Sequence, residues 1–174
     1  TVNSNDSSDI ETKIINRFNK EQYSKYQNID FLFEKIVSKL KDYENLNLGS
    51  LSCIHGDPVL TNIFKTLTGE NKFIDMRGKV GNIDTIYGDM FYDYAKLYQS
   101  LCGYDFILKD KTITDVSKNL KQYFENYFIQ TYGKLKFDYL KIITASLLFS
   151  LLPLHSEENK KIKYIQLSKD LMDV

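Results

Sequence analysis

The stretch Cys53-Ile54-His55-Gly56-Asp57-Pro58-Val59-Leu60-Thr61-Asn62-Ile63-Phe64, followed by Phe73-Ile74-Asp75-Met76-Arg77-Gly78, decides how this chain is read. Leu51 to Ile54 is a short apolar strand running into a loop. Asn62 follows Asp57 by five residues, and Ile63-Phe64-Lys65-Thr66-Leu67 then alternates as a strand does. Thr68-Gly69-Glu70-Asn71 is a turn cluster, and Lys72-Phe73-Ile74 reads as the return strand. A hairpin of this length brings Asp75 back beside Asn62, as two ligands of one metal require. A carboxylate, an amide and a second carboxylate are the set that phosphoryl transfer uses. The first orients an attacking hydroxyl, and the other two hold Mg²⁺ on nucleotide phosphates. Mg²⁺ keeps several waters, so two protein ligands suffice when phosphates supply the rest.

His-x-Asp-x-x-x-x-Asn is the pattern of the protein-kinase catalytic loop. The version here, with Gly56 in place of Arg, resembles the aminoglycoside phosphotransferase and choline kinase family of small-molecule kinases. A second block, Gly88-Asp89-Met90-Phe91-Tyr92-Asp93-Tyr94-Ala95-Lys96-Leu97, resembles that family's GDxxxDLAKL-type segment. Read without the resemblance, it is a capped core helix. Asp89 suits the N-cap, Met90, Tyr94, Leu97 and Leu101 share one face, and Gly103 suits the end. The resemblance implies that Asp57 is catalytic, that Asn62 and Asp75 bind Mg²⁺, and that ATP is the donor. It assigns His55, Asp89 and Asp93 supporting roles, with Asp93 bracing the catalytic loop. Arg77 stands where a DFG-type motif has glycine, and its guanidinium suits either an anionic substrate group or a surface ion pair. His155, after Leu151-Leu152-Pro153-Leu154, is a helix-end residue or lines the acceptor pocket. The implied acceptor is a hydroxyl of a small molecule: a sugar, an amino alcohol or an aminoglycoside-like compound. The Ile-Asp-Met-Arg-Gly and Gly-Asp-x-x-Tyr-Asp segments are similar to kinase-type proteins encoded with bacterial surface-polysaccharide (capsule) genes.

Bulk properties narrow the partners. With 23 basic and 23 acidic residues the formal charge is zero, which favours neither nucleic acid nor an electrostatic membrane anchor. Two cysteines make no disulfide framework, and Cys53, on the strand into the motif, is expected to be a buried small hydrophobe. A reducing cytoplasm fits. The most apolar run, Ile142 to Leu152, is shorter than the roughly 20 residues that cross a bilayer, and reads as a buried helix stopped by Pro153. The chain opens on Thr and a polar stretch, so residues 1–9 are expected to be a flexible tail on a processed piece, with one domain over 10–174.

Along the chain, Ser8-x-x-Glu11 reads as a capping box for a helix to about Tyr26. Ile29, Leu32, Phe33, Ile36, Leu40 and Tyr43 mark a second helix. Arg77 to Tyr87 reads as a glycine-bearing loop. Phe106-Ile107-Leu108 and Thr112-Ile113-Thr114 favour strand, with Lys109-Asp110-Lys111 as a turn. Leu120, Phe124, Tyr127 and Phe128 lead a helix to Gly133. Leu140, Ile143, Leu147 and Leu151 mark the most buried helix, and Glu157 to Met172 the last. The expected class is α+β, mainly α. The order matches the carboxy-terminal lobe of a protein-kinase-like fold with a short catalytic hairpin. The amino-terminal nucleotide-binding lobe is expected to be missing from this chain. That leaves an apolar face for the partner lobe or for dimerisation. The alternative reading is a non-catalytic kinase-like module that binds a ligand or partner domain.

Overall fold

The structure, a computed structural model, describes residues 7–81 and 83–174, with side chains from Ile10 onward. It is α+β and mostly helical, with small sheets. Helix α1 spans Ser7–Arg17, α2 Lys20–Tyr23 and α3 Ile29–Asn45. Strand β1 is Leu51–Cys53, β2 Ile63–Lys65, β3 Asn71–Phe73, β4 Lys79–Val80, β5 Ile83–Asp84 and β6 Tyr87–Asp89. Then come α4 (Met90–Leu101), α5 (Tyr104–Leu108), α6 (Asp115–Tyr132), α7 (Lys134–Phe149) and α8 (Glu158–Met172).

Helix α7 is the pillar. Every residue from Ile142 to Ser150 is buried, so no one face is the buried one. A helix apolar all round must be surrounded, and α1, α3, α4, α6 and α8 all pack on it. Its buried hydroxyls bond within the helix: Thr144 Oγ1 donates to the Leu140 carbonyl at 2.8 Å and Ser146 Oγ to that of Ile143 at 2.7 Å. The span Lys134–Leu154 is long and apolar enough to cross a membrane by length and composition, longer than the expected apolar run. However, 72% of that window is packed inside the protein. Between α4, α6 and α7 the rings of Phe91, Phe124, Phe128, Tyr132 and Phe137 interlock. Phe91 and Tyr132 meet edge to face at 5.3 Å, and Phe128 and Phe137 lie 6.0 Å apart.

Several expectations are corrected. The first helix breaks at Phe18-Asn19, where the Asn19 side chain accepts the Gln22 amide at 3.0 Å and Phe18 stacks on Phe33 at 4.0 Å. It begins at Ser7, inside the segment read as a tail; residues 1–6 and the Ser8 capping side chain lie outside the described residues. The Arg77–Tyr87 segment is not all loop: β4 pairs with β5, and β6 pairs with β1 in the register Ser52↔Gly88. Cys53 is exposed, not buried, because it lies on a ladder of only two strands, β1 and β6. In α4 Phe91, Tyr92, Ala95, Tyr98 and Leu101 are buried; of the expected stripe Leu101 is buried, and Met90, Tyr94 and Leu97 are only partly covered. The expected strand at 106–108 is helix α5. Gly103, at φ 120, restarts the helix and its carbonyl accepts the Ile107 amide at 3.0 Å. With no strand alongside, α5 packs on α4 and α8 instead.

The sheets are thinly covered. Phe64, Phe73 and Ile83, on strands two or three residues long, and Ile74 and Met76, just beyond β3, are all exposed. Stability therefore resides in the helices. Phe128→Ala, at a wholly buried ring, is expected to lower unfolding free energy by about 3–5 kcal/mol. Leu120→Ala, about two turns earlier in α6 but exposed, should stay within about 0.5 kcal/mol. Urea denaturation of the two variants reads the difference.

Candidate active site

Two carboxylates at the start of α4, the N-cap Asp89 and Asp93, hold the approach to β1 and the loop after it. Asp89 is the N-cap: its Oδ1 accepts the Phe91 amide at 3.0 Å and the Ser50 amide at 3.0 Å. Its Oδ2 accepts the Tyr43 hydroxyl at 2.6 Å, tying α3 to the same point. Burial first, and then the Asp89 charge, push the Tyr43 hydroxyl far up from its ordinary value. One turn on, Asp93 accepts the His55 amide at 2.7 Å and the Gly56 amide at 2.8 Å, one on each oxygen. Burial raises the Asp93 carboxyl, and these two N–H groups oppose the rise.

Those two bonds turn the chain sharply. Gly56 sits at φ 82, and a Cβ there would come within 2.7 Å of the Arg77 Cβ. Glycine is required on both counts. His55 packs its ring against Phe73 at 5.7 Å, and its Nδ1 receives the Asp57 amide at 3.3 Å. The proton is therefore assigned to Nε2, which is buried and without a partner among the described residues.

Asp57 emerges half-buried beyond this turn. Its Oδ1 lies 3.1 Å from Lys96 Nζ, close enough for an ion pair though not aligned as a hydrogen bond. The Asp57 carbonyl accepts Asn62 Nδ2 at 3.0 Å, which leaves Asn62 Oδ1 free as a donor atom for a cation. The β2–β3 hairpin pairs Ile63 with Phe73, and the next amide, Ile74, donates to the Asn62 carbonyl at 3.0 Å. Asp75 thus follows directly on a residue bonded to Asn62. Asp75 is exposed, holds φ 64, and has no hydrogen bond or ion pair among the described residues. The described residues gather no group of three His, Cys, Asp or Glu side chains. What they offer is two hard oxygen donors, Asn62 Oδ1 and the Asp75 carboxylate. That donor chemistry fits Mg²⁺ with phosphate and water completing the shell.

Arg77 lies across Gly56. Its amide donates to the His55 carbonyl at 2.9 Å, and its Nη1 donates to Tyr92 Oη at 3.0 Å. His155 is placed elsewhere, half-buried against the Tyr164 ring at 5.1 Å. Burial, then Lys160, lower its pKa. No hydrogen bond or ion pair joins it to the loop among the described residues. Sequence reasoning missed Lys96, Tyr92 and Lys13, whose Nζ donates to Tyr92 Oη at 3.0 Å. For Lys96 a signal existed: Asp89, Asp93 and Lys96 fall at helical spacing on one face. For Lys13 there was none, since α1 meets α4 only in the folded chain.

The bracing has a measurable consequence. Asp93→Ala leaves the His55 and Gly56 amides without acceptors and is expected to destabilise by about 1–3 kcal/mol. Amide hydrogen exchange at His55 and Gly56 should speed up more than exchange in α7. Comparison of the chain with protein-family models, with curated proteins and with solved structures finds no match in any of the three.

Proposed function

We propose that this chain is the catalytic lobe of an ATP-dependent small-molecule kinase, with a protein-kinase-like carboxy-terminal lobe architecture. The observation that carries the reading is the bond from the Ile74 amide to the Asn62 carbonyl, 3.0 Å, which returns a second carboxylate beside the loop amide. An aspartate on a braced turn, an asparagine five residues on and an aspartate at the hairpin end make a hydroxyl-orienting group and two metal ligands.

In this reading Asp57 accepts a hydrogen bond from the acceptor hydroxyl and aims its oxygen at the terminal phosphorus of ATP. As the new O–P bond forms, the bond from the terminal phosphorus to the β–γ bridging oxygen breaks, ADP leaves with that electron pair, and the hydroxyl proton passes to Asp57. Lys96, 3.1 Å from the Asp57 Oδ1, holds that carboxylate in place. Because such transition states are loose, most of the acceleration comes from orientation. Asn62 and Asp75 would hold Mg²⁺, which supplies neutralisation of charge on the bridging phosphate oxygens. His55 and Asp93 position the turn. The described residues contain no segment that grips adenine. The reading therefore includes a second, nucleotide-binding lobe, with the exposed apolar side chains Phe64, Phe73, Ile74, Met76 and Ile83 as its contact face. The acceptor class, a sugar or amino alcohol, and a place in surface-polysaccharide synthesis rest on the motif resemblance alone.

Assays with γ-labelled ATP over a panel of hydroxyl acceptors test this. In the two-lobed protein, Asp57→Asn should lower kcat by about a hundredfold or more, with circular dichroism unchanged. Asp75→Ala or removal of Mg²⁺ with EDTA should abolish turnover, and residues 1–174 alone should give none. Turnover retained in Asp75→Ala would sink the metal-ligand assignment.

A further inference from the structure

Three cations gather around Tyr92 with one carboxylate among them. Lys13 on α1 and Arg77 beyond β3 come from segments far apart in sequence, and both donate to the same phenolic oxygen at 3.0 Å. Lys96 stands one turn along α4 on the face of Tyr92, paired with Asp57. Other acids nearby are engaged. Asp93 holds the His55 and Gly56 amides, Asp89 holds Tyr43, Ser50 and Phe91, and Glu11 lies 3.6 Å from Lys41.

Burial alone would raise the Tyr92 pKa, but Lys96, Lys13 and Arg77 together bring it below the ordinary value. Protonated, the phenol accepts hydrogen bonds and cancels no charge; ionised, it offsets only one of the three cations, so positive charge stays in excess around it. The hydrogen bonds that Tyr92 makes among the described residues are received from cations, which leaves its own O–H free to donate. Tyr92 is only 7% exposed, whereas Arg77 faces solvent. The cavity behind them, bounded by Ile10, Ile54, Gly56 and Val80, has about 20 Å³ of room, enough for one water. A larger ligand must therefore sit on the outer side. An ammonium, a planar guanidinium fork and a phenolic O–H arriving from three elements suit an anion with several oxygens. Burial, reinforced by Lys96 and Arg77, also lowers the Lys13 pKa against the opposing pull of Tyr92, and an anion would relieve this.

We propose that Lys13, Arg77 and Tyr92, with Lys96 at the edge, form a seat for a phosphate-type oxyanion beside Asp57. Its use in catalysis rests on the phosphotransfer reading, but its occupancy does not. Two sources share the chemistry: the polyphosphate tail of a nucleotide, or a phosphate carried by the acceptor.

Calorimetric titration of the 174-residue chain with inorganic phosphate, pyrophosphate, a hexose phosphate and Mg-ATP at low ionic strength tests the seat. Saturable binding of at least one probe is expected. It should weaken about tenfold or more in Arg77→Gln and Lys13→Gln, and by less in Tyr92→Phe. Lys72→Gln, at an exposed pair with Glu70, removes the same charge and should change nothing. Displacement of pyrophosphate by Mg-ATP assigns the seat to the nucleotide tail; hexose phosphate binding alongside Mg-ATP assigns it to the acceptor. No saturable binding of any probe would overturn the proposal. Equal loss in Lys72→Gln, or affinity unmoved by Arg77→Gln with circular dichroism intact, would overturn it too. Arg77→Gln changes an exposed side chain, so it decides the matter even where Lys13→Gln fails to fold. Loss of binding would leave the Asp57 and Asp75 assays unaffected as tests of phosphotransfer.

Discussion

The carboxylate of Asp93 holds the His55 and Gly56 amides at 2.7 and 2.8 Å, and the shape of the loop follows from it. Hydrogen bonds to an ionised acceptor contribute about 1.5–3 kcal/mol each, more than neutral ones. They are also directional. Two adjacent N–H groups aimed at one carboxylate leave the chain a single path, through a left-handed Gly56, and Asp57 is presented at its exit. Asp93 can do this because α4 is immobilised by its other side. Phe91, Ala95 and Tyr98 are buried between α6 and α7. The precision of an exposed loop is borrowed from a helix that cannot shift without opening the core.

Asp89 extends the arrangement. Its two oxygens take one hydroxyl and two amides, from α3, from the approach to β1 and from α4 itself. The ladder between β1 and β6 is only three residues long, too short to fix its own position. Gly88 adds a steric condition, since a Cβ there would come within 2.5 Å of Ile54 Cδ1. Together, Asp89 and Asp93 convert a helix terminus into a scaffold for a strand and a loop.

The β2–β3 hairpin is held less firmly. Its apolar side chains face outward, and it joins the loop mainly through two backbone bonds, Ile74 to Asn62 and Arg77 to His55. Asp75 lies between those bonds in the left-handed region, which costs about 1 kcal/mol for a residue other than glycine. Aspartate tolerates that conformation better than most. The carboxylate is exposed at this point, with no hydrogen bond or ion pair among the described residues.

The sequence alone determined the helices α3, α6, α7 and α8 and the β2–β3 hairpin. Periodicity and turn chemistry are local, and the hairpin length sets where Asp75 returns. Local signals also placed the Asp89 cap, since an N-cap needs only its own helix. They failed where a segment's fate depended on its neighbours. Phe106-Ile107-Leu108 has strand composition but no strand beside it. Cys53 reads as apolar yet lies on a ladder with nothing over it. The buried face of α4 is set by two flanking helices, not by one stripe. The cluster of Lys13, Arg77, Tyr92 and Lys96 was wholly a matter of tertiary structure. Lys13 and Arg77 lie 79 and 15 residues from Tyr92 in sequence, and charge converges at that point only after α1, the hairpin and α4 have packed.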